Sequence, residues 1–369
     1  MATTPLGVLD LVPISSGSTA AQALRNSIDL ARHAERLGYA RYWFAEHHLN
    51  PGVAGTSPAV VLALTAAATS AIRIGSGAVQ VGHRTALAVV EEFGLIDALH
   101  PGRVDLGLGR SGGKPKGTGP DQPVPDATPV VNGRAPNGLL IPPRFSMAEL
   151  VRTPRFRLQR AMLQLPGATP VGYTEQVGDI LALLRGCYRS PDGLEARAVP
   201  GEHADVQVWI TGSSGGESAQ VAGDNGLRFA ANYHVAPGTV LEAADGYRAE
   251  LGRPYLCVSA DVVTAPTGAE ARELAAGYGR WVASIRSGRG AIEYPSAEQA
   301  RALPWTEADQ AMVQDRLDTQ FVGTPAEVSE RLHTLQRATG ADELLVTGIT
   351  HDHADRVRSF ELLARHWSG

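Results

Sequence analysis

Glu46, His47 and His48 place one carboxylate beside two imidazoles in three consecutive residues. An imidazole exchanges protons near neutral pH, and an adjacent carboxylate can fix its tautomer, so the triplet suits general acid or base catalysis. Neighbouring histidines also occur as satisfied structural groups, and the triplet alone does not separate the two. A second candidate is the run Gly212-Ser213-Ser214-Gly215-Gly216. It offers backbone N–H groups, hydroxyls and a helix start to an anion such as phosphate. An ordinary glycine-rich turn with a serine cap would have the same composition. The run matches neither the GxxxxGK[ST] phosphate loop nor a GxGxxG fingerprint with its acidic ribose partner. Ser76, Gly77 and Ala78 are small enough to let a flat ring approach the backbone, or to relieve packing. Arg110 carries a fixed charge and a forked donor set suited to phosphate or carboxylate, or to a surface ion pair.

These residues gain meaning from the elements that would position them. Short runs rich in Val, Ile and Leu alternate with stretches of helical period, the pattern of repeated β/α units around a parallel sheet. Strands are expected at residues 6–12, 40–45, 72–78, 104–108, 206–211, 227–231, 255–264 and 344–347. Helices are expected at 20–37, 58–69, 86–99, 147–165, 175–188, 269–286, around Met312, at 326–339 and at 353–366. Eight strands, mostly followed by helices, favour a closed (β/α)8 TIM-type barrel over an open doubly wound sheet. The rhythm breaks at 111–144, where glycine and proline are too dense for regular structure. The chain thus reads as one α/β barrel domain over 1–369 with a long insertion after strand 4, and 111–170 as an insertion or lid. A second irregular stretch is expected at 287–305.

In such a barrel reactive groups collect where strands end. Asp10, the Glu46-His47-His48 triplet, Ser76 and Gln80, Arg110, Ser213 and Ser214, and Asn232 and His234 all fall at expected strand ends. Arg84, Arg286 and Arg289 are weaker anion anchors, His83 is intermediate, and His33, His100, His203, His333, His351, His353 and His366 lie in helices or turns away from that end.

Composition narrows the function classes. The 369 residues are 43% hydrophobic and 19% charged, with a net charge of −5, and the cations are scattered, which argues against a nucleic-acid surface. Cys187 and Cys257 stand far apart without metal-ligand spacing, so neither a disulfide framework nor a metal site is expected, in keeping with a reducing cytoplasm. The amino terminus has no basic leader with a long apolar run, and no window is apolar enough for a membrane span, so a cytoplasmic location is expected.

Taken in order, EHH after strand two, IRIGSGA at strand three, EEFGLIDALHPGRVDLGLGR, WITGSSGGESAQVAGDNGL and ANYH resemble the bacterial luciferase-like family of flavin-dependent monooxygenases and reductases, its short single-chain branch. The likeness is close over about 5–110, resumes over about 206–250, and is weaker beyond, although FVGTPAEVSERLHTL followed by DELLVTG resembles the family's ending. It implies a (β/α)8 barrel that binds reduced FMN, or in some branches the deazaflavin F420, at the carboxyl end of its strands. By the same resemblance His47 or His48, with Glu46 beside them, would sit near the reactive edge of the flavin, His47 being the first choice for moving protons. Ser76, Gly77 and Ala78 would pack against the isoalloxazine, while Arg110, Gly212, Ser213 and Ser214 would hold the phosphate. The implied activity is a monooxygenase using O2 and FMN reduced by a separate reductase on a small organic substrate. The alternatives are an FMN reductase or F420-dependent dehydrogenase on the same barrel, and a flavin-binding relative without catalysis. A homodimer paired through helices near the start of the chain is also implied. Two departures stand out: the 111–144 segment is longer than the corresponding loop of similar short members, and strand six ends in Asn232-Tyr233-His234, leaving the role of His234 open.

Overall fold

Inward and outward side chains alternate along every strand of a parallel barrel, so each strand here serves two apolar layers. The structure is a computed structural model that describes residues 4–110, 128–146, 150–169, 171–250 and 255–367. Its principal strands are β1 (Leu6–Asp10), β2 (Arg41–Phe44), β3 (Arg73–Ser76), β4 (Val104–Gly109), β5 (Gln207–Gly212), β6 (Arg228–Asn232), β7 (Leu256–Thr264) and β8 (Glu343–Thr347). Each pairs in parallel with the next, and β8 pairs with both β7 and β1, which closes the barrel. Val8, Tyr42, Ile74, Leu106, Ile210, Val258 and Val346 face the surrounding helices. Leu9, Trp43, Trp209, Cys257 and Leu345 form a separate cluster inside.

The amino-terminal end of the interior is filled by charge. Arg41 donates to Asp105 at 2.5 Å and to both oxygens of Glu343 at 2.5 and 2.9 Å. Trp43 Nε1 and Arg73 Nε also donate to Asp105, at 2.9 and 2.8 Å, and the Tyr255 hydroxyl donates to Glu343 at 3.0 Å. Glycine at position 7 makes room, since a Cβ there would lie 2.6 Å from Arg41 Cγ. Asp10, expected near the site, instead bonds Arg356 Nη2 at 2.8 Å and the Tyr42 hydroxyl, tying β1 to the carboxyl-terminal helix His353–Trp367.

Several expected boundaries shift. The third strand stops at Ser76, and Val79–Gln80 forms a separate short strand beside β4, with a cis Gly77–Ala78 peptide between them. The helix expected over 269–286 is two, Gly268–Leu274 and Tyr278–Arg286. They are separated at Gly277, whose backbone packs so closely that a Cβ would lie 2.5 Å from the Pro295 carbonyl. Within the supposedly irregular 287–305, Ser296 and Gln299 form a capping box that starts a helix at Ala297–Ala302. The strand Phe321–Gly323, unexpected from sequence, pairs with the end of β7.

Between β4 and β5 the chain makes its long insertion. Residues 111–127 and 147–149 of it lie outside the described residues. Leu139 and Ile141 are buried, and the Leu140 carbonyl accepts from the Tyr233 hydroxyl at 2.8 Å. Helix Pro154–Leu163 follows, capped by Thr153, and helix Tyr173–Leu184 then packs against Ala86–Leu99 as the outer layer of the barrel. Among the described residues no helix is long and apolar enough to cross a membrane.

Candidate active site

The carboxyl ends of β1 to β7 surround a cavity of about 490 Å³. It is lined by Leu9, Ala45, Gly77, Ala78, Gly109, Thr211, Gly212 and Asp261 and by the polar residues His47, Arg110, Ser213, Ser214 and His234. Helix Pro154–Leu163 supplies Arg155, Phe156 and Gln159, and later segments supply Trp281, Ile285, Gly290 and Arg316.

The triplet that follows β2 is divided by the cavity. His47 lines the cavity; its backbone N–H bonds the Gly55 carbonyl at 2.7 Å, and its ring Nδ1 is closed off without a hydrogen-bond partner. His48 does not line the cavity. Its Nε2 lies 2.8 Å from Glu46 Oε1, and its ring meets that of His83 edge-on at 6.3 Å. Glu46, at the cavity edge, accepts from the Gln80 backbone N–H at 2.8 Å, while its own carbonyl accepts from the Gln80 amide at 2.7 Å. Burial alone would raise the Glu46 pKa, but hydrogen bonds from His48 and Gln80 and the charge of Arg84 hold it below the usual carboxylate range. Glu46 is therefore an ionised anchor that joins the end of β2 to the turn after β3.

His47 is pushed down to about 4, first by burial and then by the nearby His48. His234, whose Nδ1 lies 2.6 Å from the Ser259 hydroxyl, is pushed down to about 3 by burial, then by Arg316 and His47. Two neutral imidazoles thus share the cavity at neutral pH. Asp261 moves the other way, to about 6, because burial outweighs the hydrogen bond from Gln320 and the charge of Arg316.

These shifts fix the sign of a pH effect. The unfolded chain protonates its histidines near 6.5, whereas folded His47 and His234 resist until about 4 and 3, so their contribution to stability is lost as pH falls through that window. Asp261 opposes them, gaining stability as pH falls from about 6 toward its ordinary 3.8. Two imidazoles outweigh one carboxylate between pH 7 and pH 5, so urea unfolding should show a loss on the order of 2 kcal/mol.

The rim near β4 and β5 is rich in donors. Ser213, Ser214 and Ser218 line the cavity, and helix Glu217–Asp224 begins at Gly216 with no side-chain cap on its first N–H groups. Arg110 lies beside them, with Nη1 donating to Glu217 at 2.9 Å. Its other N–H groups make no protein hydrogen bond among the described residues. Ser76 faces away from the cavity, buried, its Oγ donating to the Gly107 carbonyl at 3.0 Å and accepting from the Gly107 N–H at 2.9 Å. Of the weaker arginine candidates, Arg84 pairs with Glu92 and Glu46, and Arg286 with Asp315.

Sequence reasoning passed over Asp261, Arg155 and Arg316. Asp261 sits within nine consecutive buried residues of β7, a pattern that reads as core. Arg316 lies on helix Glu307–Thr319 with no periodic signal to mark it. Only the short distance between Asp261 and the strand end could have drawn attention to it.

A model of the luciferase-like monooxygenase family matches residues 4–127 and 178–343. Over 366 aligned residues the chain is 32% identical to the luciferase-like monooxygenase of Escherichia coli strain K12, covering 98% of this chain and 96% of that protein. It is similar to the solved structure of apo-MsnO8, with 30% identity, a TM-score of 0.77, and coverage of 99% of this chain and 98% of that one. The oxygenating constituent of 3,6-diketocamphane monooxygenase from Pseudomonas putida, solved in complex with FMN, shares the fold, with 18% identity, a TM-score of 0.66, and coverage of 99% and 98%.

Proposed function

This chain belongs to the luciferase-like monooxygenase family, a family of oxidoreductase enzymes, and from that membership we propose that it is a flavin-dependent monooxygenase using reduced FMN and O2 on a small organic substrate. The observation that carries the proposal is that His47, the small residues Gly77, Ala78 and Gly109, and the donors of Arg110, Ser213 and Ser214 all line one cavity. The residues present fit a flavin. The uncapped start of helix Glu217–Asp224, the serine hydroxyls and the Arg110 fork suit its phosphate. Gly77, Ala78 and Gly109 leave the wall flat enough for a ring, and the buried, unpartnered Nδ1 of His47 and Oδ1 of Asn232 lack partners that a polar ring edge supplies.

Reduced flavin supplies the electrons with which O2 is activated and an oxygen atom passed to the substrate. The chain's own part is to bind, orient and manage protons. His47 accepts or donates a proton at a ring nitrogen while remaining uncharged at rest. His48, Glu46 and Gln80 hold the backbone on which His47 is presented. Helix Pro154–Leu163 restricts water, with Arg155 fastened to the Leu49 carbonyl at 2.5 Å and Asn50 Oδ1 at 2.9 Å. In this reading the chain is one barrel domain and 111–170 is its lid.

Titration with reduced FMN and with F420 is the test. Tighter binding of FMN, with O2 uptake matched by an oxygenated product, supports the proposal; preference for F420 with anaerobic turnover moves the activity to hydride transfer; failure to bind either overturns it. Arg110→Ala should weaken FMN binding by about 10- to 100-fold, the worth of a charged hydrogen bond, while changing riboflavin binding little. The two affinities measured by flavin fluorescence check this.

A homodimer fits the same reading. Val60 and Leu64 on helix Pro58–Ala66, and Leu95 and Leu99 on helix Ala86–Leu99, are 54–78% exposed, an apolar face that water alone would not favour. Sedimentation at micromolar concentration should give a dimer, and Leu95→Glu should shift it toward monomer. A separate reductase would supply the reduced FMN.

A further inference from the structure

Among the described residues four arginines have almost fully buried side chains, and three of them are matched by carboxylates. Arg41 pairs with Asp105 and Glu343, Arg356 with Asp10, and Arg286 with Asp315. Arg316 is the exception. It is 8% exposed and lines the cavity, yet no carboxylate lies within ion-pair distance of it among the described residues. Its guanidinium makes one hydrogen bond there, from Nη2 to the Tyr278 hydroxyl at 2.7 Å. A buried cation with no ion-pair partner costs several kcal/mol, roughly, and a bound anion in the cavity would offset that cost.

The surroundings support a ligand rather than a protein partner. Asp261 shares this wall and is near enough for the charge of Arg316 to act on it, but its Oδ1 accepts from Gln320 at 2.8 Å and no ion pair joins it to Arg316. Trp281, also in the cavity lining, has an indole N–H with no acceptor. Arg and Trp side chains are donors only, so this wall asks for acceptor oxygens. Leu9, Leu11, Val53 and Ile285 line the same cavity and suit an apolar body. Arg316 follows β7 in the chain, whereas the serines and Arg110 that would hold the flavin phosphate follow β4 and β5.

We propose that the substrate is an organic acid, an apolar body carrying a carboxylate that pairs with Arg316. Arg316 is then the residue that selects a charged head group over a neutral one. The inference rests on reading the cavity as the active site of the flavin enzyme, and names the substrate class for it.

The test uses straight-chain alkanoates of four to ten carbons and their uncharged amides, titrated into the wild-type protein with and without FMN. Flavin absorbance reports binding in the loaded protein, and tryptophan fluorescence reports it in the flavin-free protein. At least one acid should bind about 10-fold or more tightly than its amide. Arg316→Gln should reduce that preference to near unity, and Arg316→Lys, which keeps the charge but loses the fork, should retain part of it. Equal affinities, absence of saturable binding by every acid, or a preference that survives in Arg316→Gln would overturn the proposal. Failure of FMN to bind would count against the flavin reading alone, because the fluorescence comparison still decides whether Arg316 recognises carboxylates.

Discussion

Replacing His47 with alanine is expected to lower turnover by about 10²–10⁴ while flavin affinity falls by no more than about 10-fold, the worth of one neutral hydrogen bond. The expectation follows from position and charge together. His47 lines the cavity, its Nδ1 has no protein partner, and burial holds it neutral, with a pKa near 4. A neutral imidazole can take a proton and return it without a standing charge to desolvate. His47→Asn, which keeps a donor and an acceptor but cannot titrate, should bind flavin like the wild type and remain slow. His48→Ala should act differently: His48 holds Glu46 rather than facing the cavity, so its loss should show as a smaller fall in turnover with some loss of stability. Wild-type turnover in His47→Ala, measured alongside the native enzyme on the same substrate, would remove His47 from the mechanism.

The largest effect on stability should come from Arg41→Met, about 3–5 kcal/mol. Methionine fills much of the volume but strands Asp105 and Glu343, both fully buried, inside the barrel. Arg73 and Trp43 still serve Asp105, so Glu343 bears most of the cost, with only the Tyr255 hydroxyl left to it among the described residues. The loss should shrink as pH falls. The variant's cost is that of burying a negative charge with no cation beside it, and acid lowers that cost by neutralising carboxylates. Urea unfolding of both proteins at pH 8 and pH 5 would show this as a narrowing gap. Arg41→Met combined with Glu343→Gln should recover part of the deficit, since the stranded charge is removed.

The sequence was informative wherever structure follows from local pattern. The runs at 104–108 and 206–211 sit in strands with shifts of about a residue, because each alternates Val, Leu or Ile at short spacing and is closed by glycine. Parallel strands ending in polar residues also placed the candidate residues at one mouth. Local pattern failed where a distant segment intervened. The helix expected at 269–286 is broken because Pro295 packs against Gly277, and the strand Phe321–Gly323 exists because β7 is long enough to pair with it.

At the site the division is sharper. Residue types alone identified the Glu46-His47-His48 triplet and the serines after β5 as chemically capable, since an imidazole or a hydroxyl carries its reactivity wherever it lies. The tertiary structure decided which of them face the cavity: His47 does, while His48 and Ser76 turn toward Glu46 and Gly107. It also decided that both cavity histidines are neutral and that Asp261 titrates near 6, since burial and neighbouring charges set those values. Arg316 illustrates the limit best. Its position in the sequence shows an arginine on a helix, but that no carboxylate among the described residues forms an ion pair with it, when Arg41, Arg286 and Arg356 each have one, depends on segments brought together from across the chain. Chemical capacity belongs to the residue, whereas orientation, solvation and pairing arise only when the barrel closes.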